Sequence, residues 1–363
     1  MGDIFIRSKY NPIIKPNSKH KWESLKVYNP GAIFHDGKYH LFYRAMGLGE
    51  NWNSVLGYAI SEDGEHFKRF SKPIMERNPK NLLELRGYED PRIVKIEDKF
   101  YMTYAVYDGK TPRLHISTSK DLKKWDKKYN VLKDFRLTKY GGVFVKWKDG
   151  KPVEINNPSE PAKDERTKAG AIFPEKINGK YWMLFNEYKI WLSSSKDGIE
   201  WKVENEKMPF IESRKNTNFF DNVFVEAGPP PIKTDRGWLV FYHGINDAIQ
   251  YNLGILLLDI NNPKKILYRS EEPIFGPKEE YELSGIVDII PGTTSLIQKG
   301  NEQELKKLLK EAIAKGFMPQ VTFTTGAVLN KGIVRLYYGA GDEYICTATA
   351  NLEDILSTIP KDI

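Results

Sequence analysis

The stretch Gly31-Ala-Ile-Phe-His-Asp36-Gly37-Lys38-Tyr39-His-Leu-Phe-Tyr43 decides the fold, because it is one copy of a phrase that the chain repeats. A Gly or Pro opens a short apolar strand, a tight turn follows, and a second strand rich in aromatic residues leads away. The phrase returns as Pro91-Arg-Ile-Val…Asp98-Lys99-Phe100-Tyr-Met-Thr-Tyr104 and as Gly170-Ala-Ile-Phe…Asn178-Gly179-Lys180-Tyr181-Trp-Met-Leu-Phe185. Two more copies are Gly228-Pro-Pro-Pro-Ile…Arg236-Gly237-Trp238-Leu-Val-Phe-Tyr242 and Gly326-Ala-Val-Leu…Lys331-Gly332-Ile333-Val-Arg-Leu-Tyr-Tyr338. A hairpin repeated with a fixed turn marks a radial architecture, since one small sheet cannot bury both its faces and its neighbours must cover it. Five copies predict an all-β fold, a five-bladed β-propeller.

Working outward, each unit carries a second hairpin: Gly57-Tyr-Ala-Ile-Ser-Glu-Asp-Gly64, Leu114-His-Ile-Ser-Thr-Ser-Lys-Asp121 ending at Trp125, and Ile190-Trp-Leu-Ser-Ser-Ser-Lys-Asp-Gly198 ending at Trp201. Short alternating strands closed by Asp-Gly or Lys-Asp turns read as the outer halves of the blades. Two stretches break the rhythm. Residues from about 146 to 167 read as a polar loop between the second and third units. From Asn301 to Phe317, Leu305, Leu308, Leu309, Ala312 and Ile313 recur at helical spacing before Gly316, predicting a short helical insertion, about 301–317, in the last blade. It is expected to pack on the propeller's side, where it offers an interface for a homo-oligomer. Leu352-Glu-Asp-Ile-Leu356 reads as a closing helix or a sealing strand.

The repeat runs almost end to end, so residues 1–363 are expected to form a single domain. The chain is 40% hydrophobic and 13% aromatic, which suits sheets packed face to face. One cysteine, Cys346, excludes a disulfide framework, and the opening Met1-Gly-Asp-Ile4 with Arg7 and Lys9 has no apolar core like that of a secretory signal. No apolar run is long enough to cross a bilayer, and a cytoplasmic location is expected. The net charge of +7 is spread through turns such as Lys120-Asp-Leu-Lys-Lys124 rather than gathered in one basic block, which argues against a nucleic-acid partner.

In a propeller the inner strands converge on a central mouth, so the polar residues at their ends are the candidates for chemistry. In chain order these are Asn29 and Arg44, then Glu89, Asp90 and Arg92, then Lys168, then Glu226 and His243, and finally Asp342. Glu89-Asp90-Pro91-Arg92 sets an acidic pair before a strand-opening proline with an arginine beside it, giving a carboxyl group whose protonation its neighbours can tune. Lys168, His243 and Arg113 come from separate units and could surround one anion as fixed donors without a Gly-rich loop. Asn29, Arg44 and Asp342 can bind hydroxyls, and Tyr43, Tyr88, Tyr104, Tyr107 and Trp238 could stack on sugar faces, although most propeller aromatics are core. There is no Cys/His cluster for zinc, no dinucleotide fingerprint and no Gly-x-Ser-x-Gly elbow, so neither a metal nor an organic cofactor is implied.

Together these segments resemble glycoside hydrolase family 130, the β-mannoside phosphorylases and related β-mannosidases. The resemblance is carried by Asn29-Pro-Gly-Ala, Tyr43-Arg44, Glu89-Asp-Pro-Arg92, Lys168-Ala-Gly-Ala-Ile-Phe-Pro-Glu-Lys-Ile-Asn-Gly-Lys-Tyr181, Gly228-Pro-Pro-Pro-Ile, Gly237-Trp-Leu-Val-Phe-Tyr-His243-Gly, Leu253-Gly…Leu258-Asp and Tyr337-Tyr-Gly-Ala-Gly-Asp342, from about residue 25 to 352. It implies inverting attack on a β-mannosidic bond with Asp90 as general acid, the proton passing through a hydroxyl of the sugar. It also implies that Asn29, Arg44 and Asp342 hold the mannosyl unit, with Glu89 and Arg92 on the substrate beside them. Lys168 and His243, and less closely Arg113, match phosphate-binding positions, so the expected partners are an oligosaccharide and inorganic phosphate as co-substrate.

Phe224-Val-Glu226-Ala departs from the Lys-Ile-Gly-like stretch of the phosphorylases and resembles the hydrolytic branch. A carboxylate beside a phosphate site repels the anion. Phosphorolysis to α-mannose 1-phosphate is the expected reaction because Lys168 and His243 are retained. The rival inside the enzyme class is an inverting β-mannosidase that uses water, with Glu226 as base, or else Glu271 or Glu272. The rival from another class is a non-catalytic propeller that binds sugar or protein at the same mouth.

Overall fold

Each copy of the repeated phrase forms an antiparallel strand pair. The computed structural model describes residues 4–48, 53–109, 111–128, 130–135, 144–148, 151–155, 166–216, 218–284, 296, 299–314 and 320–363. Within these, Lys26–His35 pairs with Lys38–Met46, Gly87–Ile96 with Lys99–Tyr107, and Ala171–Ile172 with Tyr181–Phe185. Phe224–Ala227 and Ile232–Thr234 both pair with Gly237–Ile245, and Thr322–Asn330 with Ile333–Ala340. Outer strands extend each pair: Ser54–Ser61 and Lys68–Arg69, Pro112–Ser119 and Asp126–Lys128, Trp191–Ser195 and Lys202–Val203, Tyr251–Leu258 and Ile266–Arg269. In the last sheet Tyr344–Asn351 is third, and the outermost strand is Ile6–Arg7 from the other end of the chain, with Ile6 opposite Thr349. The first two sheets touch through one parallel pair, Ser54 with Gly87. The result is an all-β, propeller-like fold.

Along each strand successive side chains point to opposite faces, and here both faces are apolar because both are covered. Phe42 and Tyr58 of the first sheet meet Met102 and Tyr104 of the second. Leu114 and Ile116 then meet Met183 and Trp191, and Leu184 meets Val240 and Leu256. Phe241 and Ile255 pack on Leu336 and Tyr338, and Tyr337 of the fifth sheet returns to Leu41 and Tyr43 of the first. The glycines that open the phrase let inner strands touch: a Cβ on Gly31 would lie 2.5 Å from the Pro91 carbonyl oxygen, and one on Gly326 2.6 Å from that of Pro30.

The helix spans Glu302–Ala314. Its Leu305 is buried against Leu25 and Met46 at the end of the first sheet, while Gly316 lies outside the described residues. Leu352–Ser357 is helical. The polar loop expected from about 146 needs correction. Phe144–Lys148 and Lys151–Ile155 form an antiparallel hairpin, and 156–165 lie outside the described residues. Val145 and Trp147 alternate with lysines before an Asp-Gly turn, a pattern that favours a strand despite its charge. Among the described residues no helix is long and apolar enough to cross a membrane.

Candidate active site

The inner strands are interrupted at one equivalent place. Register slips between Tyr28 and Gly31, between Glu89 and Arg92, and between Thr324 and Gly326. Asn29 and Asp90 sit in these bulges with φ of 48° and 52°, and Ala169 takes 54° at the same point of the third sheet. Asn and Asp tolerate this left-handed region better than other residues that carry a Cβ, and a bulge re-aims a side chain out of the ladder. Across the ladder, Tyr28 is opposite Arg44 and Glu226 is opposite His243. The first, second and fifth sheets thus each offer a residue before the bulge, one in it, and one across from it.

Asp90, buried in the second sheet, is the hub. Asn29 Nδ2 donates to its Oδ1 at 2.7 Å, an Arg44 guanidinium nitrogen lies 3.4 Å from the same oxygen, and Lys168 Nζ stands 3.5 Å from Oδ2. Arg44 also donates to Glu89 Oε1 at 2.7 Å and to Ser54 Oγ at 2.9 Å. Lys168 is 3.5 Å from Glu187 Oε2, and Glu187 Oε1 accepts from Arg166 at 2.6 Å. Arg92, expected among the sugar ligands, directs its guanidinium to backbone carbonyls instead, those of Gly228 at 2.8 Å, Ala227 at 2.7 Å and Asp90 at 3.1 Å. It ties the second inner strand to the fourth.

The electrostatics divide the carboxyl groups. Burial acts to raise the pKa of Asp90, but Lys168, Arg44, the Asn29 hydrogen bond and Arg92 outweigh it and hold the group well below the usual range, so it is a carboxylate. Glu226 is dominated by burial, which pushes it up to about 8 against the pull of Lys168 and Arg92, so at neutral pH it carries a proton. Burial also opposes the charge of Lys168, yet the ionised Glu187 and Asp90 keep it an ammonium. His243 is driven down to about 3 by burial and then by Arg92, and is neutral. Its Nε2 accepts the Thr324 N–H at 2.9 Å, which places the ring proton on Nδ1, and its ring stacks on Phe323 at 4.2 Å.

Several buried polar atoms in this cluster have no hydrogen-bond partner: Asn29 Oδ1, Asn186 Nδ2, Glu226 Oε1, His243 Nδ1 and the hydroxyls of Thr324 and Thr325. Buried polar groups are ordinarily paired, so donors and acceptors gathered in this way suit a polar ligand. A neutral imidazole N–H, an ammonium and a protonated carboxyl can all donate to an anion, and Asp90 stands beside them to handle a proton.

Asp342, half-buried with φ of 59°, sits at the turn closing the fifth sheet's second hairpin, its Oδ2 3.8 Å from Lys26 Nζ. Arg113 is ion-paired with Asp108 at 2.6 Å and donates to the Thr111 carbonyl. Of the aromatics considered for stacking, Tyr43, Tyr88, Tyr104 and Trp238 are fully buried core, while Tyr107 is half-buried. Sequence reading passes over Arg166, Asn186 and Glu187. Its own alignment held a signal, since Asn186 follows Phe185 as Arg44 follows Tyr43 and His243 follows Tyr242.

A family model, glycoside hydrolase family 130, described as beta-1,4-mannooligosaccharide phosphorylase, matches residues 3–300. A 1,2-beta-oligomannan phosphorylase of Thermoanaerobacter sp. (strain X514) is 32% identical over 95% of this chain and 96% of its own. A beta-1,2-mannobiose phosphorylase of the same organism is 32% identical over 96% of this chain and 98% of its own. A solved structure of the GH130 family of mannoside phosphorylases, described as containing glycoside hydrolases that target beta-1,2 mannosidic linkages in Candida mannan, is 28% identical. It covers 96% of this chain and 94% of that one, with a TM-score of 0.73.

Proposed function

The chain belongs to glycoside hydrolase family 130, and from that premise we propose that it cleaves β-mannosides with inversion by phosphorolysis, releasing α-mannose 1-phosphate. The observation that carries this reading is the buried Asp90 carboxylate with the Lys168 ammonium 3.5 Å away, in a cluster where His243 Nδ1 is an unpartnered donor. Phosphate held by Lys168 and the His243 N–H attacks the anomeric carbon from the face opposite the leaving sugar. The C–O bond to phosphate forms as the glycosidic bond breaks. Asp90 protonates the departing oxygen through a sugar hydroxyl. In the free site Asp90 is ionised, so its proton arrives with a phosphate monoanion, whose negative charge offsets the cations that hold Asp90 ionised.

In this reading Asn29 and Arg44 orient the mannosyl unit around Asp90, with Asp342 at its rim and Glu89 holding Arg44. The repulsion expected between Glu226 and phosphate is relieved because Glu226 is protonated at neutral pH and can donate to the anion. The same protonation argues against Glu226 as the base of a water-using mannosidase, which must be ionised to accept a proton. The cyclic packing of five sheets supports a single five-bladed propeller over residues 1–363.

The test is incubation with β-1,2- and β-1,4-linked mannobiose, with and without inorganic phosphate. Mannose 1-phosphate formed only with phosphate is the expected result, and free mannose regardless of phosphate would make the enzyme a hydrolase.

A further inference from the structure

The Lys168 ammonium stands 3.5 Å from each of two carboxylates, Asp90 Oδ2 and Glu187 Oε2. Both separations exceed a tight charge-assisted hydrogen bond of about 2.7–2.9 Å, so the ammonium is committed to neither. Glu187 is itself fixed. Arg166 donates to its other oxygen at 2.6 Å, and the neighbouring Asn186 is bound to Lys168 in both directions, Asn186 N to Lys168 O at 2.8 Å and Lys168 N to Asn186 Oδ1 at 3.3 Å. Arg166, Lys168, Asn186 and Glu187 therefore behave as one assembly at the inner edge of the third sheet.

Resting on the phosphorolysis reading, we propose that Glu187, anchored by Arg166, is a positioning residue that keeps the Lys168 ammonium from collapsing onto Asp90 and so holds it available to the phosphate nucleophile. Without the second carboxylate, the largest pull on Lys168 away from Asp90 is lost, and a close ion pair between the two removes the phosphate's ligand while binding the general acid in its ionised form. The charged and titratable groups facing this pair are Arg44 and Glu89 from the first and second sheets, Arg92 from the second, Tyr188 from the third, and Glu226 and His243 from the fourth. Of the carboxylates acting on Lys168, Glu187 exerts the strongest pull.

Replacing Glu187 by Gln has two effects on Asp90 that act in the same direction. A negative charge is lost nearby, and the ammonium moves closer, so Asp90 binds its proton less tightly. Phosphorolysis requires protonated Asp90, so the alkaline limb of the kcat profile moves to lower pH, by about one unit. Phosphate affinity separates positioning from bulk charge. Loss of a negative charge alone tightens phosphate binding, whereas loss of the ammonium's placement weakens it, by about ten-fold or more.

The experiment is calorimetric titration of inorganic phosphate into the wild-type protein and the Glu187→Gln, Glu187→Asp, Lys168→Gln and double Lys168→Gln/Glu187→Gln variants, with pH profiles of phosphorolysis. The expected result is weaker phosphate binding and an acid-shifted alkaline limb in Glu187→Gln, partial rescue by Asp, and no further loss of phosphate binding from Glu187→Gln once Lys168 is Gln. Should Glu187→Gln fail to fold, Arg166→Gln is expected to reproduce both shifts in weaker form. Phosphate binding in Glu187→Gln equal to or tighter than in the wild type, or additive losses in the double variant, would overturn the positioning role and leave the phosphorolysis reading intact. Failure of the wild type to bind phosphate would overturn that reading instead.

Discussion

At the scale of single residues, the site is an inventory of protons. Asp90→Asn is expected to lower phosphorolysis by about 10²–10⁴-fold, the range of a lost general acid. The same variant is expected to bind inorganic phosphate more tightly than the wild type, because a negative charge beside Lys168 has gone. A variant that keeps near-normal turnover, measured by mannose 1-phosphate release, would remove Asp90 from the chemistry. Glu226 contributes a stability signal as well. Its folded pKa of about 8 lies above its ordinary 4.5, so its contribution is complete below about 4.5 and is lost as pH rises toward 8. Glu226→Gln is expected to flatten the fall in melting temperature across that window and to retain phosphorolysis at pH 7. A steep loss of phosphorolysis in this variant at neutral pH would show that the carboxylate itself is needed. Asp90 was legible in sequence because Glu-Asp-Pro-Arg is a compact phrase. Glu187 was not, since its meaning depends on Arg166 and Lys168 folding to it from an earlier segment.

Individual elements are joined by a recurring clasp. Tyr43, Tyr242 and Tyr338 occupy the same place in the repeated phrase, and each hydroxyl donates to a buried carboxylate in the connection before its own sheet: Glu23 at 2.8 Å, Asp221 at 2.8 Å and Glu282 at 2.7 Å. Each carboxylate also meets an arginine, Arg69, Arg214 or Arg7. The tyrosines were visible in the sequence repeat, but their partners lie 20, 21 and 56 positions earlier and so share no spacing that a reader could find. The clasp also needs room. Gly57 pairs directly with Tyr43, and a Cβ there would lie 2.3 Å from the tyrosine ring. Gly57→Ala is expected to cost about 1–3 kcal/mol by overpacking, read as a lower denaturant midpoint with an unchanged slope. A midpoint equal to the wild type would mean that the Tyr43 ring can move aside.

For the molecule as a whole, the all-β, repeated strand-pair architecture was legible because the phrase recurs, whereas the strand that finishes the last sheet was not. Ile4-Phe-Ile-Arg7 is too short to announce itself, and only its pairing with Thr349 and Ala348 gives it a place. Arg7 fastens that strand by donating to Glu282 from Nε at 2.8 Å, with a second guanidinium contact at 2.9 Å. Arg7→Ala leaves Glu282 buried without its cation and is expected to cost about 3–5 kcal/mol, measured by denaturant unfolding. A loss below half a kcal/mol would mean that the strand is held by its ladder alone. The pairing of Ile6 with Thr349 also has a consequence for biosynthesis. At roughly 5–20 residues per second on the ribosome, the first strand emerges roughly 20–70 s before its partner is made. The newborn chain must keep Phe5 and Ile6 from other sheet edges throughout that interval, and a rearranged gene that encoded Ile6–Arg7 after Ser357 would spare it the wait.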